Sequence, residues 1–455
     1  MRQGTTSHSP GVGRFLAGAA SVDITPEGPA ELAGFARQIQ PSVGVNDPLQ
    51  ACALVLSDGQ TTVFTVVCDL LVIPAEFARR LRGALRDRFG VPPEQVMLCA
   101  THNHFSPKLL WETETSPAWA DEKDYACHLL TKAISCAEEA HARLQPAVLG
   151  AGAGTCSLGI NRRQRMPDGR IDFGQNPEGF VDRTLGVCRI DAITGEPLAT
   201  VVNFAMHPVV LAYRYRVVSA DYCGALRDTV EKTVGGVCLF WQAALGEVNP
   251  VRLDADYAEA CRQGRQVAEE VVRIRGGIVP RPVAKVQVVS RLVPLPPYRR
   301  SSLQHAEAYV RQVREELVGY RRSPEVTPGT IAYFEAVLER AQNMVRSWKG
   351  EMQLPPVTAE LQVCRCGDWA WAAINAEVFG ENGVAYKSLS TSPHTFFVSL
   401  ANGGIWYLPT RQAYEEGGAE VDHLCWVSPE AAGIVHESFR ELFGTVDRDA
   451  DKMTK

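Results

Sequence analysis

No apolar run in this chain outlasts a single strand. The runs at 63–67 and 198–202 are broken by polar neighbours, far short of the roughly 18 consecutive apolar residues that a membrane-spanning helix needs. Hydrophobic surface supplied in such short pieces must be tiled into sheets and covered by amphipathic helices, which predicts a mixed α/β fold. Residues 51–56 and 62–67 flank Ser57-Asp58-Gly59-Gln60, whose Asp-Gly step favours a tight hairpin, so the two runs are expected to pair antiparallel. Phe77, Leu81, Leu85 and Phe89 recur every four residues between Pro74 and Gly90, the pattern of an amphipathic helix closed by glycine. The run 95–100 then reads as a buried strand.

Further helices are expected over 125–144 and 225–234, a strand pair over 184–190 and 199–205, and an apolar strand over 237–241. Residues 357–366 and 369–375 flank Gly367-Asp368 and predict another hairpin, with one more strand over 395–400. Two long, polar-rich helical patterns, 303–321 and 331–349, meet across Ser323-Pro324 and Pro328-Gly329. They predict a protruding helical hairpin that serves as a lid or a homo-oligomer contact. No repeat or linker divides the chain. The expectation is one large domain over 13–446, with antiparallel-rich sheets sandwiched between helices and residues 303–349 as a helical-hairpin insertion. Residues 1–12 and 447–455 are expected as frayed ends.

With 45% hydrophobic and 22% charged residues, the 455-residue chain can bury a large core, which excludes a disordered or fibrous protein. Its 46 basic and 52 acidic residues form no basic stripe, so no nucleic-acid partner is expected. The apolar patch before Asp23 is too short for the core of a signal peptide, so a cytoplasmic location is expected. Thirteen cysteines scattered from Cys52 to Cys425 fit reduced thiols. Cys364 and Cys366, on one face of a strand, are expected to be buried thiols rather than a metal pair.

Chemistry concentrates where strands end. Thr101-His102-Asn103-His104 follows the 95–100 strand, and an extended His-x-His there is either a metal clip or a pair of hydrogen-bonded loop histidines. The run 201–205 likewise exits into Met206-His207-Pro208. Glu377 stands just beyond Ile374-Asn375. A carboxylate there would complete a hydrolytic zinc site of His and Glu ligands, and otherwise it is a solvated side chain. Gly150-x-Gly152-x-Gly154 lacks the helical period and acidic partner of a dinucleotide-binding loop.

Several separate motifs together resemble the neutral/alkaline non-lysosomal ceramidases. They are Ala20-Ser21-Val22-Asp23-Ile24-Thr25-Pro26, Gly34-Phe35, Asp47-Pro48-Leu49 and Cys68-Asp69, followed by Thr101-His102-Asn103-His104-Phe105-Ser106-Pro107, Asn161-Arg162-Arg163 and Asn203-Phe204-Ala205-Met206-His207-Pro208. Ser219-Ala220-Asp221-Tyr222, Gly246-Glu247-Val248-Asn249-Pro250, Ala376-Glu377-Val378-Phe379 and Tyr407-Leu408-Pro409-Thr410 continue the pattern. The resemblance runs from about Gly18 to Phe443, and no counterpart of the family's C-terminal immunoglobulin-like domain is expected within this sequence.

The resemblance implies an amidase whose zinc is held by His102, His207, Glu377 and Tyr407, with Gly404 where the family carries a second tyrosine. It also implies that His104 and Arg162 or Arg163 face the scissile amide, next to a developing oxyanion. Asp69 or Asp221 is expected to orient a ligand imidazole. Where the family carries a catalytic serine this chain has Asn249, so an acyl-serine route is closed and attack by a zinc-bound water is expected on a small-molecule substrate. Arg162, Arg163, Tyr213 and Trp406 are expected to line a pocket suited to a soluble, polar N-acyl substrate rather than membrane ceramide. The alternatives are a zinc hydrolase of an ester or glycosidic bond, and an inactive binding or scaffold homologue.

Overall fold

The hairpin that Asp58-Gly59 dictates is present. Gln50–Ser57 pairs antiparallel with Thr62–Cys68, and Oδ1 of Asp58 accepts the amides of Gln60 and Thr61 at 2.8 and 2.7 Å. The computed structural model of the protein describes residues 15–34, 40–109, 119–323, 326 and 328–451. The hairpin belongs to an eight-stranded sheet ordered Val237–Gln242, Pro197–Phe204, Thr184–Ala192, Gln145–Thr155, Leu16–Asp23, Gln50–Ser57, Thr62–Cys68 and Val96–Ala100. The outermost pair at each end is parallel and every pair between is antiparallel.

Halfway across, among the described residues, the sheet is joined through two residue pairs, Leu16↔Pro146 and Ala17↔Gln145, with the Ala147 amide donating to Phe15 O at 3.0 Å beside them. The two halves fold face to face there, and Val237–Gln242 comes against Val96–Ala100. Ala17, Leu54, Val67 and Cys99 from one half meet Cys188, Val201 and Trp241 from the other in a single buried cluster. On the outside, Ala75–Phe89 and Trp119–Ala142 cover the first half, where Phe77, Leu81 and Leu129 pack on Phe64 and Val66. Asp221–Val234 and Tyr257–Gly277 cover the second, where Leu226, Val267 and Val271 pack on Val202 and Phe240. The result is the expected arrangement of antiparallel-rich sheets between helices, in four layers.

A second sheet of Val286–Leu295, Val357–Cys366, Trp369–Ile374 and His394–Val398 closes the open side of this sandwich. Its Trp369 and Trp371 lie 5.5 and 5.3 Å from the ring of Trp241, an aromatic cluster that ties the sheets together. Cys364 and Cys366 are buried in the same core, and all thirteen cysteines are free thiols. The last helix, Ala431–Asp451, packs Val435, Phe439 and Phe443 on the second sheet. It carries Asp447 onto Arg365 at 2.7 Å, so from 447 to 451 the chain is helix rather than a frayed end; residues 1–12 lie outside the described residues. Gly150, Gly152 and Gly154 lie inside a strand, where a Cβ would meet Ile278 or Ile274 of the covering segment at 2.7–3.0 Å. Their spacing serves helix packing.

Leu303–Arg322 and Pro328–Trp348 form the predicted helical hairpin, with its own small core of Tyr309, Val310, Val313 and Ala341. It is not simply exposed. Arg340 donates to the carbonyl of Cys425 at 2.9 Å and Trp348 to that of Arg300 at 3.2 Å, which fastens the hairpin to the body of the protein.

Candidate active site

The edge strand Val96–Ala100 ends in a loop whose polar groups bond to neighbouring segments of the chain. Thr101 and Asn103 donate backbone amides to Cys68 and Leu70 at 3.0 and 2.9 Å, and the Asn103 side chain bonds Ser219 O and Phe105 N at 2.7 and 2.9 Å. His102 is thereby fixed at φ 65°, a left-handed conformation that non-glycine residues rarely adopt. Its Nδ1 lies 2.9 Å from Leu71 O, and Nδ1 of His207 lies 2.9 Å from Val248 O. A carbonyl accepts only from N–H, so both rings carry a proton on Nδ1, and in the neutral ring Nε2 is left bare toward the centre.

Those two Nε2 atoms lie 3.3 and 3.7 Å from Oε2 of Glu377. Glu377 and Tyr407 are register partners in two short parallel strands, Glu377–Val378 and Tyr407–Leu408. The structure thus brings together all four residues expected as zinc ligands. Among the described residues, Oε2 of Glu377 is buried without a hydrogen bond of good geometry. A buried carboxylate oxygen facing two imidazole lone pairs suits a divalent cation, and zinc accepts this donor set. A Cβ at Gly404 would meet Val72 at 2.6 Å, so no tyrosine fits there and Tyr407 is the phenol available.

The ring of His104 stands edge-on to His102 and His207, with centroids 4.9 and 5.8 Å away, and one nitrogen of each of the three rings lies within 4.8 Å of the other two. A Cβ on Gly34, whose φ is 92°, would sit 2.3 Å from Nδ1 of His104. Gly34 is the seat of that ring; Phe35 lies outside the described residues. Arg162 reaches the centre from the strand Gly159–Arg165, with Nη1 3.2 Å from both His207 Nε2 and Asn249 Oδ1, and Nη2 donating to the Tyr407 hydroxyl at 2.9 Å. Strand alternation turns Arg163 elsewhere. It donates to Gly417 O at 2.7 Å and lines a separate, polar cavity. Glu420, which no sequence motif marked, braces both arginines at 2.9 and 3.0 Å.

Asp69 and Asp221 do not orient an imidazole; the carbonyls of Leu71 and Val248 do. Asp69 instead forms a buried two-point pair with Arg227 at 2.7 and 2.5 Å and accepts from Thr101 at 3.2 Å, so it holds the loop backbone. Asp221 accepts the amides of Leu211 and Tyr222 at 2.9 and 2.7 Å, downstream of His207.

Burial pulls the His104 imidazole well below its usual range, with His102 and His207 adding to the shift. Burial and then Arg162 bring His207 down to about 3, against the pull of Glu377. Both rings are neutral, as ligands and proton acceptors must be. Burial would also lower Arg162, but Tyr407 and Glu420 more than offset it and keep the guanidinium charged.

A cavity of about 1170 Å³ opens onto His102 and Glu377. Its walls are mainly apolar, with Leu71, Val72 and Ile73 on one side, Val337 and Met344 of the helical hairpin on another, and Trp406 between. Of the four residues expected to make a polar pocket, only Trp406 borders this space. Tyr213 is largely exposed in a short helical turn elsewhere. The walls suit an acyl chain better than a polar ring.

Fold and centre together define a mixed α/β protein with a buried cluster of imidazoles and a carboxylate. Residues 15–270, more than half of the chain, match the family model described as neutral/alkaline non-lysosomal ceramidase, N-terminal. The chain belongs to that family. Neutral ceramidase B of Dictyostelium discoideum is 27% identical over 270 residues, which is 53% of this chain and 36% of that protein. Neutral ceramidase A of the same organism is 26% identical over 279 residues, 55% of this chain and 37% of that protein. The matched stretch thus spans just over a third of these relatives' own length. A solved ceramidase complexed with C2 has a TM-score of 0.74 at 19% identity, covering 96% of this chain and 76% of that one. The neutral ceramidase from Pseudomonas aeruginosa gives 0.72 at 20% identity, covering 96% and 75%. At such identities these two structures establish the shared fold.

Proposed function

We propose that this protein is a zinc-dependent amidase that cleaves the N-acyl bond of a ceramide-like amide. The observation that carries the reading is the meeting of His102 Nε2, His207 Nε2 and Glu377 Oε2 at the floor of a large apolar cavity. Zinc held there by His102, His207 and Glu377, with Tyr407 as a fourth donor, would supply a Lewis acid and lower the pKa of a water.

The chain's own groups have separable tasks. Arg162, kept charged by Glu420 and Tyr407, stands where an amide oxygen gains negative charge as water adds to the carbonyl carbon. His104, neutral and seated on Gly34, takes a proton from the attacking water and returns it to the nitrogen as the C–N bond breaks. Asn249, bonded through Oδ1 to Arg162, keeps its amide N–H groups to orient the substrate. The products are a carboxylate and an amine.

The reading is tested by measuring fatty-acid release from N-acylsphingosines and shorter N-acyl amines with purified, zinc-loaded protein. Release that Glu377→Ala abolishes is expected. A zinc-loaded protein inert on every amide in the panel would overturn it.

A further inference from the structure

We propose that the cavity wall carries an anion subsite centred on Arg340, and that the amide cleaved here bears a carboxylate at a distance from the scissile bond. The proposal rests on the amidase reading for the reaction but not for the binding. Among the described residues that line the cavity, Arg340 is the only lysine or arginine. It projects from the helix Pro328–Trp348, with its guanidinium 4.6 Å from the ring centroid of Trp426. A guanidinium has five N–H donors in one plane, and stacking on an indole uses only its face. Among the described residues a single bond, from Nη2 to Cys425 O, engages that edge.

No carboxylate pairs with Arg340 among the described residues, although acidic groups are close by. Glu335 is taken by Arg321, Asp422 by Arg300, and Glu339 is exposed. Arg300 lies 4.1 Å from the ring centroid of Tyr309, another residue of the same wall. Arg300 and Asp422 neutralise each other there, which leaves the Arg340 guanidinium without a carboxylate partner among the described residues. Burial draws Arg340 down to about 10, which leaves it charged near neutrality. A desolvated cation without a counter-ion is unfavourable until a ligand brings one. An uncharged lipid amide would not, whereas a carboxylate could take two in-plane N–H bonds.

Trp426 and Trp406 are 6.0 Å apart, and Trp406 adjoins Tyr407. The subsite is therefore set back from the centre by two aromatic rings, the span of an apolar spacer. Monoamides of linear dicarboxylic acids with ethanolamine, graded in chain length, are to be compared with alkanoyl ethanolamides of matched length. Binding to the full chain is measured by calorimetry in the presence of a chelator, and turnover with zinc.

At the best spacer length, the carboxylated probe is expected to bind about tenfold or more tightly than its neutral partner. Arg340→Gln should erase that preference while the neutral partner binds as before, and Arg340→Lys should keep part of it. Equal weakening of both probes by Arg340→Gln, or no preference at any length, would overturn the subsite. If the binding preference and its loss in Arg340→Gln appear but no amide is hydrolysed, the subsite stands and the amidase reading falls.

Discussion

His102, His207 and Glu377 divide their atoms between holding position and facing the centre, and His104 takes no share in that division. Glu377→Ala is therefore expected to strip the metal, read as zinc per chain after dialysis, whereas His104→Ala should keep it and lose turnover by about a hundredfold or more. Metal loss on His104→Ala would make it a ligand. Gly34→Ala places a methyl 2.3 Å from His104 Nδ1 at a φ of 92°. It should cost about 1–3 kcal/mol of stability and lower kcat, with zinc content unchanged. Sequence made these histidines legible because each follows an apolar run that ends abruptly. It misplaced Asp69 and Asp221, because the groups that fix the imidazoles are the carbonyls of Leu71 and Val248, and a backbone acceptor leaves no mark on residue identity. Arg163 was drawn in by its neighbour Arg162, although strand alternation separates them, and Glu420 lies in a four-residue helix with no pattern of its own.

Elements show the same division between what a pattern reveals and what only packing decides. Hairpins with Asp-Gly or Gly-Asp turns and the four-residue period of 77–89 announce themselves. The strands Leu16–Asp23 and Gln145–Thr155, rich in Ala and Gly, carry too little apolar alternation to do so. The helical hairpin was legible as helices but not as a cavity wall, since its inward face combines Tyr333, Arg340 and Met344 rather than a clean apolar stripe. Replacing Leu303–Trp348 with a short loop should raise KM for long-chain amides more than for short ones, while the protein still unfolds cooperatively; global unfolding would place the hairpin in the main core. Glu247 supports another element. Its carboxylate oxygens lie 2.8 and 3.1 Å from Gly380 N, at the start of the helix Gly380–Lys387. Burial raises this carboxyl from 4.5 to about 8, against the opposing pull of the Gly380 amide. A raised acid contributes stability that is full below the unfolded value and lost as pH rises through the folded one. Denaturant midpoints should therefore fall between about pH 4.5 and 8, and Glu247→Gln should flatten that slope.

At the scale of the molecule, the folded-over sheet explains why His102, His207 and Glu377, far apart in sequence, share one point. His102 leaves an edge strand of one half, His207 leaves the strand next to the opposite edge, and the second sheet, packed against both halves, leads into Glu377. A ligand bound only by the native state should raise Tm, by about 4 kcal/mol of added stability when zinc stands at a thousand times its Kd. Glu377→Ala should show little of that rise, and an equal rise in the variant would place the metal elsewhere. The two-pair joint at Leu16↔Pro146 and Ala17↔Gln145 has one more consequence. It is the spine of a book whose outer leaves meet near the centre, and an ion held between those leaves would be a clasp. Opening the leaves and releasing the ion then become a single event, so the rate at which zinc escapes should measure how often the book falls open.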